Sequence, residues 1–546
     1  MGNLINNNMI ATIDALGNVT KYTYNCLNQL IRVTNAKGQT VRYIYDALGR
    51  QIEVVDAKGN SVRKAYDANG NVISITDAKG NVVSETAYNE LNLPSEVSYI
   101  SGNTVTYEYD SMGRPTMVTD SLCNTKQYMY NYRGQNTAVI DAAGNTSSIT
   151  YDVLGNRTAI VGPLGGATRY TYDEMGRLTA ETTTSGGRVR YTYNALNLKS
   201  SLTNARGQKR SFTYDALGRI IGCTSADDSV SYTYDANGNV LTSTDKNGTI
   251  KREIDALNRV IKYEDTFGNT IGYRYDPIGN LSAITYPDGT EVSYEYDVNN
   301  NLVSVTDWED RKTVYTYDEN NRVTGVIKPD GSVTATEYDN AGRVVSTVEK
   351  SASGVLITGF EYTYDILGRV STEKHLDKNV KLCYTYDERS RVTQRTKVNY
   401  NTGETIDETF TYDAAGNIIT TADNCDTDSF SYDKNNRLTY HNGMSVTYDA
   451  DGNMTSAYHD GSRDSFRYDS TNRLIGTNTN AYTYNAENVR IRNLCGEHET
   501  TYVYNTNAKL SSMLMKTTDR IAIKALFVCC DTTCYKLLTQ GEVHSE

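Results

Sequence analysis

The sequence is poor in the residues that usually carry chemistry or separate domains. Its 546 residues hold one Trp, six Pro and five His. His375, His441, His459, His498 and His544 fall at no metal-ligand spacing, so an HExxH-type centre is excluded. Nine Cys is an odd number. Cys26, Cys123, Cys223, Cys383, Cys425 and Cys495 lie far apart without a pairing rhythm, which reads as unpaired side chains rather than a disulfide framework. No run of about 20 apolar residues is present, so no membrane-spanning helix is expected. The start, "MGNLINNNMI", lacks the charged and apolar regions of a secretory signal. Positive charge is also in deficit, with 54 Lys and Arg against 66 Asp and Glu and a net charge of -12. A nucleic-acid partner is therefore not expected, because phosphates select basic surfaces.

What is abundant is Tyr, 45 residues against seven Phe, together with 41 Gly spread along the chain as punctuation. Both argue against disorder and against a collagen-like chain. Tyr24, Tyr45, Tyr66, Tyr88, Tyr109 and Tyr130 each precede Asp or Asn and recur every 21 or 22 residues. The register runs on through Tyr214 to Tyr338, with Ile254 standing in once, and loosens after that. A second turn phrase lies halfway along each period, as in "YDALGRQIEVVDAKGN" at residues 45–60. A fixed period of this length overrides the usual estimate of domain number.

The phrase has a mechanical reading. Asp46, Asp56, Asp67 and Asp215 can accept hydrogen bonds from the amides of their own turns, and Gly49, Gly59, Gly70 and Gly218 permit the left-handed residue that closes a short hairpin loop. Where Gly is missing from this slot, Asn replaces it at positions 28, 92, 197, 258, 300, 321, 436, 472 and 488. Asn is the residue other than Gly that best tolerates positive φ. The slot therefore selects a backbone shape. Between turns, Tyr-x-Tyr alternation places both rings on one face of a strand, as at Tyr43 and Tyr45, and Arg50 or Arg219 leads into the partner strand. No sustained helical period occurs before the tail.

A single repeat would bury about four large side chains, worth about 4 to 6 kcal/mol each at about 25 cal/mol/Å². That falls short of or barely meets roughly 20 to 40 kcal/mol of backbone entropy, so stability must come from neighbouring repeats. The expected fold is all-β, a long antiparallel hairpin-repeat sheet. Open sheets rarely exceed about ten strands without curling, so a coiled, spiral or hollow wall is expected.

The "YDALGR…TDAKGN" phrase, with Tyr-Asp and Gly-Arg at fixed offsets over roughly residues 1–519, resembles the RHS/YD-repeat family. That family includes polymorphic-toxin scaffolds, teneurin YD shells and insecticidal toxin-complex C components. The resemblance implies a non-enzymatic shell that encloses or presents an effector polypeptide and is secreted or displayed at a cell surface. The repeat positions Tyr45, Asp46, Gly49, Arg50, Asp56, Gly59, Tyr66, Asp67, Gly70, Tyr214, Asp215, Gly218 and Arg219 then have structural roles, with no catalytic residue, cofactor or metal. Residues 1–340 read as regular repeats, 341–519 as irregular repeats approaching a core-like region, and 520–546 as a Cys-containing tail without regular structure. Residues 1–4 match the inside of a turn, and the tail is too short for an ordinary toxin domain. The expectation is a shell fragment whose effector is absent.

Three short motifs could carry chemistry. Asp276-Pro277-Ile278-Gly279 resembles one half of the family's paired self-cleavage motif, but it occupies an ordinary turn slot. "YDADGN" at 448–453 alternates oxygen side chains as a calcium loop does, yet lacks the distant bidentate Glu. Cys529, Cys530 and Cys534 lack zinc-site spacing. The competing functional class is a module that binds carbohydrate or cell-wall glycans by stacking Tyr rings on sugars, although Trp308 is the sole Trp.

Overall fold

The computed structural model describes the backbone of residues 2–5, 8–459, 461–504, 510–517, 520–530 and 533–537, with side chains for 8–458 and 461–504. Every regular element among the described residues is a β-strand. In the repeating part most are five or six residues long, for example Thr40–Tyr45, Gln51–Val55, Ser61–Tyr66 and Val72–Thr76. Val, Ile, Thr and Tyr fill them because branched and aromatic side chains suit a pleated, half-buried surface. The chain belongs to the all-β class expected from its turn punctuation.

Each strand pairs antiparallel with the next in sequence. Tyr43 lies opposite Val54, and Ile44 opposite Glu53, before the register slips so that Tyr45 faces Gln51. The same slip recurs at Tyr24, Tyr66, Tyr109, Tyr172 and Tyr214. It is the bulge that accompanies a left-handed residue in the loop, and it increases local twist. Alternation holds along the strands: Tyr43 and Tyr45 are half-buried, and Ile44 between them is exposed.

The chain forms two compact units, each assembled from an early and a late stretch of sequence. Unit 1 comprises Met1–Ser148, Arg274–Ile284 and Glu291–Asp428, and unit 2 comprises Ile149–Tyr273, Thr285–Thr290 and Ser429–Glu546. Full burial is rare: Val55 in unit 1 and Ala180, Ile250, Tyr263 and Ile271 in unit 2 are among the few closed core residues. A hairpin repeat shares its burial along the sheet instead of concentrating it in one centre.

The backbone of Arg520–Cys530 and Thr533–Leu537 is strand, paired antiparallel, in the segment where the sequence suggested no regular structure. Ile521, Ile523, Phe527 and Val528 supply the branched and aromatic residues that favour this conformation, even though the Tyr and Gly punctuation has ended. The side chains of Cys529, Cys530 and Cys534 lie outside the described residues, as does His544.

Candidate functional site

The candidate site is a constellation repeated along both units. Its first layer is the turn itself, seen at 46–50. The Asp46 amide donates to the Arg50 carbonyl (2.9 Å), and the Gly49 amide donates to the Asp46 carbonyl (3.0 Å). The Asp46 carboxylate accepts the Leu48 and Arg50 amides at 3.0 and 2.9 Å. Its second oxygen accepts Arg50 Nε at 2.7 Å. The Arg50 amide bond, against opposing desolvation and with help from the guanidinium, holds the Asp46 carboxyl below the usual carboxylate range.

Gly49 sits at φ +83°, and Gly59, Gly70 and Gly218 at +97°, +93° and +78°. All nine Asn stand-ins have φ between +57° and +65°. Cys123, Asp310 and Ser390 fill the same slot at +63°, +58° and +61°. The sequence reading missed these three: Cys and Ser are not customary left-handed residues, and Asp310, although Asp like Asn tolerates that conformation, departs from the Gly or Asn that marks the slot elsewhere. Their turns are nevertheless marked by an Asp three positions earlier, whose carbonyl accepts the slot amide in each case.

The second layer joins one repeat to the next. Arg50 Nη1 donates to the carbonyl of Asp67 (2.7 Å), and its guanidinium lies over the Tyr66 ring, 4.8 Å from the centroid. The Tyr66 hydroxyl donates back to the Gln51 carbonyl (2.7 Å), and Tyr45 does the same to Leu30 (2.8 Å). In unit 2, Arg219 pairs with Asp215 (2.6 Å), donates to the Asp235 carbonyl (3.0 Å) and covers Tyr234 at 4.7 Å. The Tyr214 hydroxyl donates to the Lys199 carbonyl (2.6 Å), and burial raises its pKa. Where Asn replaces Arg, as at Asn71, its amide caps Asp67 (2.8 Å) and reaches Asn92 in the following turn (3.0 Å). That Asn71 side-chain bond is the leading reason the Asp67 carboxyl is held low. A guanidinium covers the ring of the next repeat at many of these steps, among them Arg114 over Tyr130 and Arg177 over Tyr193.

The third layer was not legible from spacing: turns about 240 residues apart meet within each unit. In unit 1 the halfway turn 56–60 docks on the turn 297–301. Lys58 Nζ pairs with Asp297 (2.6 Å), and Asn299 Nδ2 donates to Asp56 (2.6 Å). One repeat later, Lys79 pairs with Asp318 (3.0 Å), and Asn320 donates to Asp77 (2.8 Å). One repeat earlier, Lys37 meets Asp276 (3.0 Å). The Asp276-Pro277 turn is thus an ordinary docked turn. Burial would raise the Asp318 carboxyl, but bonds from Arg322 and Lys79 outweigh it and bring it down to about 2.

Unit 2 repeats the arrangement. Arg206 pairs with Asp451 (2.6 Å) and donates to the Asp469 carbonyl (2.5 Å), while the Ala205 amide donates to Asp451 (2.6 Å). The residues that suggested a calcium loop are therefore engaged by Arg206 and by turn amides. Among the described residues no cluster of His, Cys, Asp and Glu is arranged to hold a metal ion, and no helix is long and apolar enough to cross a membrane.

No curated protein matches the chain. Among solved structures it is similar to the crystal structure of TcdB2-TccC3, at 13% identity and a TM-score of 0.57 over 96% of this chain and 38% of the other. TcdB2-TccC3-Cdc42 is similar at 12% identity and TM-score 0.56, covering 96% of this chain and 40% of that one. The Photorhabdus luminescens Tc holotoxin pore gives 12% and 0.56, covering 94% and 40%. The chain thus spans about two fifths of the length of these structures, and the likeness concerns the fold. Residues 27–62 and 52–82 match the RHS repeat, and residues 79–225, 196–340 and 349–486 match the teneurin YD-shell family. With its clamps, bulges and docked turns recurring at the period those matches cover, the chain belongs to the RHS/YD-repeat family, as a YD-shell protein.

Proposed function

We propose that the chain is a length of wall in a β-sheet shell that encloses or presents an effector polypeptide, and that its role is mechanical rather than catalytic. The observation that carries this reading is the use made of the recurrent polar residues. Asp, Arg, Asn and Tyr of the repeat spend their hydrogen bonds on turn amides, strand carbonyls and neighbouring turns, the economy expected of a scaffold. In this reading Tyr45, Asp46, Gly49 and Arg50, with their counterparts around Asp56, Tyr66 and Tyr214, are construction positions. Residues 1–340 supply regular wall, and 341–519 supply irregular wall approaching a core-like region. The assembly acts outside the producing cell. The sugar-binding alternative loses ground because Tyr66, Tyr130 and Tyr193 each have a ring face covered by Arg.

The test is protection of cargo. A small unfolded polypeptide fused to the C-terminus of the whole chain should be cleaved by a non-specific protease at least an order of magnitude more slowly than the same polypeptide on an unrelated globular carrier. Equal cleavage rates would refute the enclosing role.

A further inference from the structure

Gly166 and Gly187 end two successive halfway turns of unit 2, 162–166 and 183–187. Among the described residues these are the two five-residue turns that close on Gly, and neither opens on Asp or Asn: position one is Gly162 in the first and Thr183 in the second. The clamp of carboxylate and returning side chain seen at 46–50 is therefore missing from both. Backbone conformation does not ask for glycine at position five. Gly165 and Gly186 beside them lie at φ +75° and +84°, whereas Gly166 and Gly187 are outside the left-handed region. Ala would fit there, and would even favour folding by restricting the unfolded chain.

What excludes a side chain is a distant part of the same unit. A Cβ on Gly166 would lie 1.6 Å from the carbonyl oxygen of Lys434, and one on Gly187 would lie 2.6 Å from that of Ala450. Both are overlaps in a close-packed contact. Lys434 and Ala450 hold the same place, position two, in the late turns 433–437 and 449–453. The next pair of turns treats that carbonyl differently. Ser470, position two of 469–473, is met by Asn204 Nδ2 at 3.5 Å, and position five of the early turn is Gln208, whose side chain bonds Asn204 at 3.0 Å. Gly162 has no such neighbour: the nearest heavy atom to its Cβ would be the Gly166 carbonyl oxygen, 3.9 Å away.

We propose that Gly166 and Gly187 are the two seats of a latch, in which the vacancy at position five admits the backbone of a late turn and closes the early stretch of unit 2 on its late stretch in one register. The occupants are the chain's own turns 433–437 and 449–453. A late stretch displaced by one repeat toward 204–208 would press the Ala450 carbonyl on Gln208, where the seat is filled. The lost clamp is the local cost of the seat, and the docked backbone takes its place in holding the turn.

The test is hydrogen exchange on the full chain. Two amides cross the seam beside the seats, Ala205 to Asp451 Oδ1 (2.6 Å) and Ser470 to Asp227 Oδ2 (2.5 Å). The Gly186 amide, bonded within its own turn to the Thr183 carbonyl (3.0 Å), is the local reference. Gly187→Ala should accelerate exchange at Ala205 and Ser470 at least about tenfold while Gly186 stays within about twofold of wild type. Gly166→Ala, with the closer approach, should lower the unfolding midpoint further, and Gly162→Ala should leave all three amides unchanged. Restoring a clamp by Thr183→Asp with Gly187→Asn, the pairing that Asp67 and Asn71 make at 2.8 Å, should slow exchange at Gly186 yet accelerate it at Ala205. The proposal is overturned if Ala205 and Ser470 exchange as in wild type in Gly187→Ala, if Gly186 accelerates as much as they do, or if Gly162→Ala has the same effect. Loss of the folded chain in Gly187→Ala would also overturn it, since a latch opens without unfolding the sheet; the restored clamp slowing all three amides would mean that the turn alone matters.

Discussion

Replacing Gly59 tests whether the turn slot is read as backbone shape alone. Gly59 lies at φ +97°, and an added Cβ would meet no heavy atom within 4 Å, so steric crowding is removed from the comparison. What remains is the cost of holding an L-residue in the left-handed region, about 1 to 2 kcal/mol for Ala and about 2 to 3 kcal/mol for branched Val. Asn should cost less, since nine turns of this chain hold it between +57° and +65°. The readout is hydrogen exchange at the Lys58 and Asn60 amides, which donate to Asp56 Oδ1 at 2.9 Å each. With about 1.4 kcal/mol per tenfold, Gly59→Ala should accelerate exchange about tenfold, Gly59→Val by more, and Gly59→Asn by only a few-fold. Gly49→Ala should resemble Gly59→Ala, because the one atom within 4 Å of its Cβ, Gln29 Nε2 at 2.9 Å, is the far end of a side chain that can swing away. If Val and Asn at position 59 behaved alike, the slot would not be selecting φ and the reading of the repeat would fail.

Tyr66→Phe removes the hydroxyl that donates to Gln51 and should destabilise the local hairpin by about 1 kcal/mol in exchange experiments; Tyr66→Leu, which also removes the ring beneath Arg50, should cost more. A double-mutant cycle of Lys58→Ala with Asp297→Asn should give a coupling of about 0.5 to 1 kcal/mol that shrinks in high salt; no coupling would mean the turns touch without holding. For acid, Asp318 is depressed to about 2 when folded, against about 3.9 when unfolded. Its contribution is therefore present above the unfolded value and is lost as pH falls from about 4 through about 2, amounting to about 1 to 2 kcal/mol after solvent screening. Acid unfolding of Asp318→Asn compared with wild type measures it, and identical pH profiles would contradict the assignment.

The local half of the structure could be read from the chain, and the distant half could not. Asp46, Gly49 and the Asn stand-ins announce their turns because geometry over five residues restricts which side chains fit. The Tyr-x-Tyr alternation announces its strands for the same reason. Cys123, Asp310 and Ser390 escape that reading because neighbours override a weak preference at single positions. Lys58 and Asp297 escape it for another cause. Both are common residues in common turns, and nothing local distinguishes Lys58, which meets a turn 239 residues on, from a solvated surface lysine. The Arg50 contact with Tyr66 lies between these cases. Both residues are periodic, but their contact joins residues of successive repeats, 16 positions apart, and spacing alone does not say which side chains meet.

The division of labour within the turn explains how a chain can repeat one phrase so often and still dock its stretches in register. Positions one, four and five are committed to the loop: the carboxylate cap, the left-handed residue and the side chain that returns to the cap. A hairpin alters little if the residues between cap and left-handed slot change, so positions two and three are free to vary and project beyond the edge, as at Tyr132 and Val153 (86% and 83% exposed) and at Leu48 (74%). Unit 1 uses position three for Lys37, Lys58 and Lys79 facing Asp276, Asp297 and Asp318. A one-repeat slip would return Lys to Asp, which leaves the ion pairs degenerate in register. Neighbouring turns break that degeneracy, because Ile366 on Gly102 and Arg389 on Asp141 (3.0 Å) cannot exchange partners without setting a charge against an apolar side chain. Register thus resides in the irregular residues at positions two and three, and the constant part of the phrase supplies the stiffness that lets them be compared.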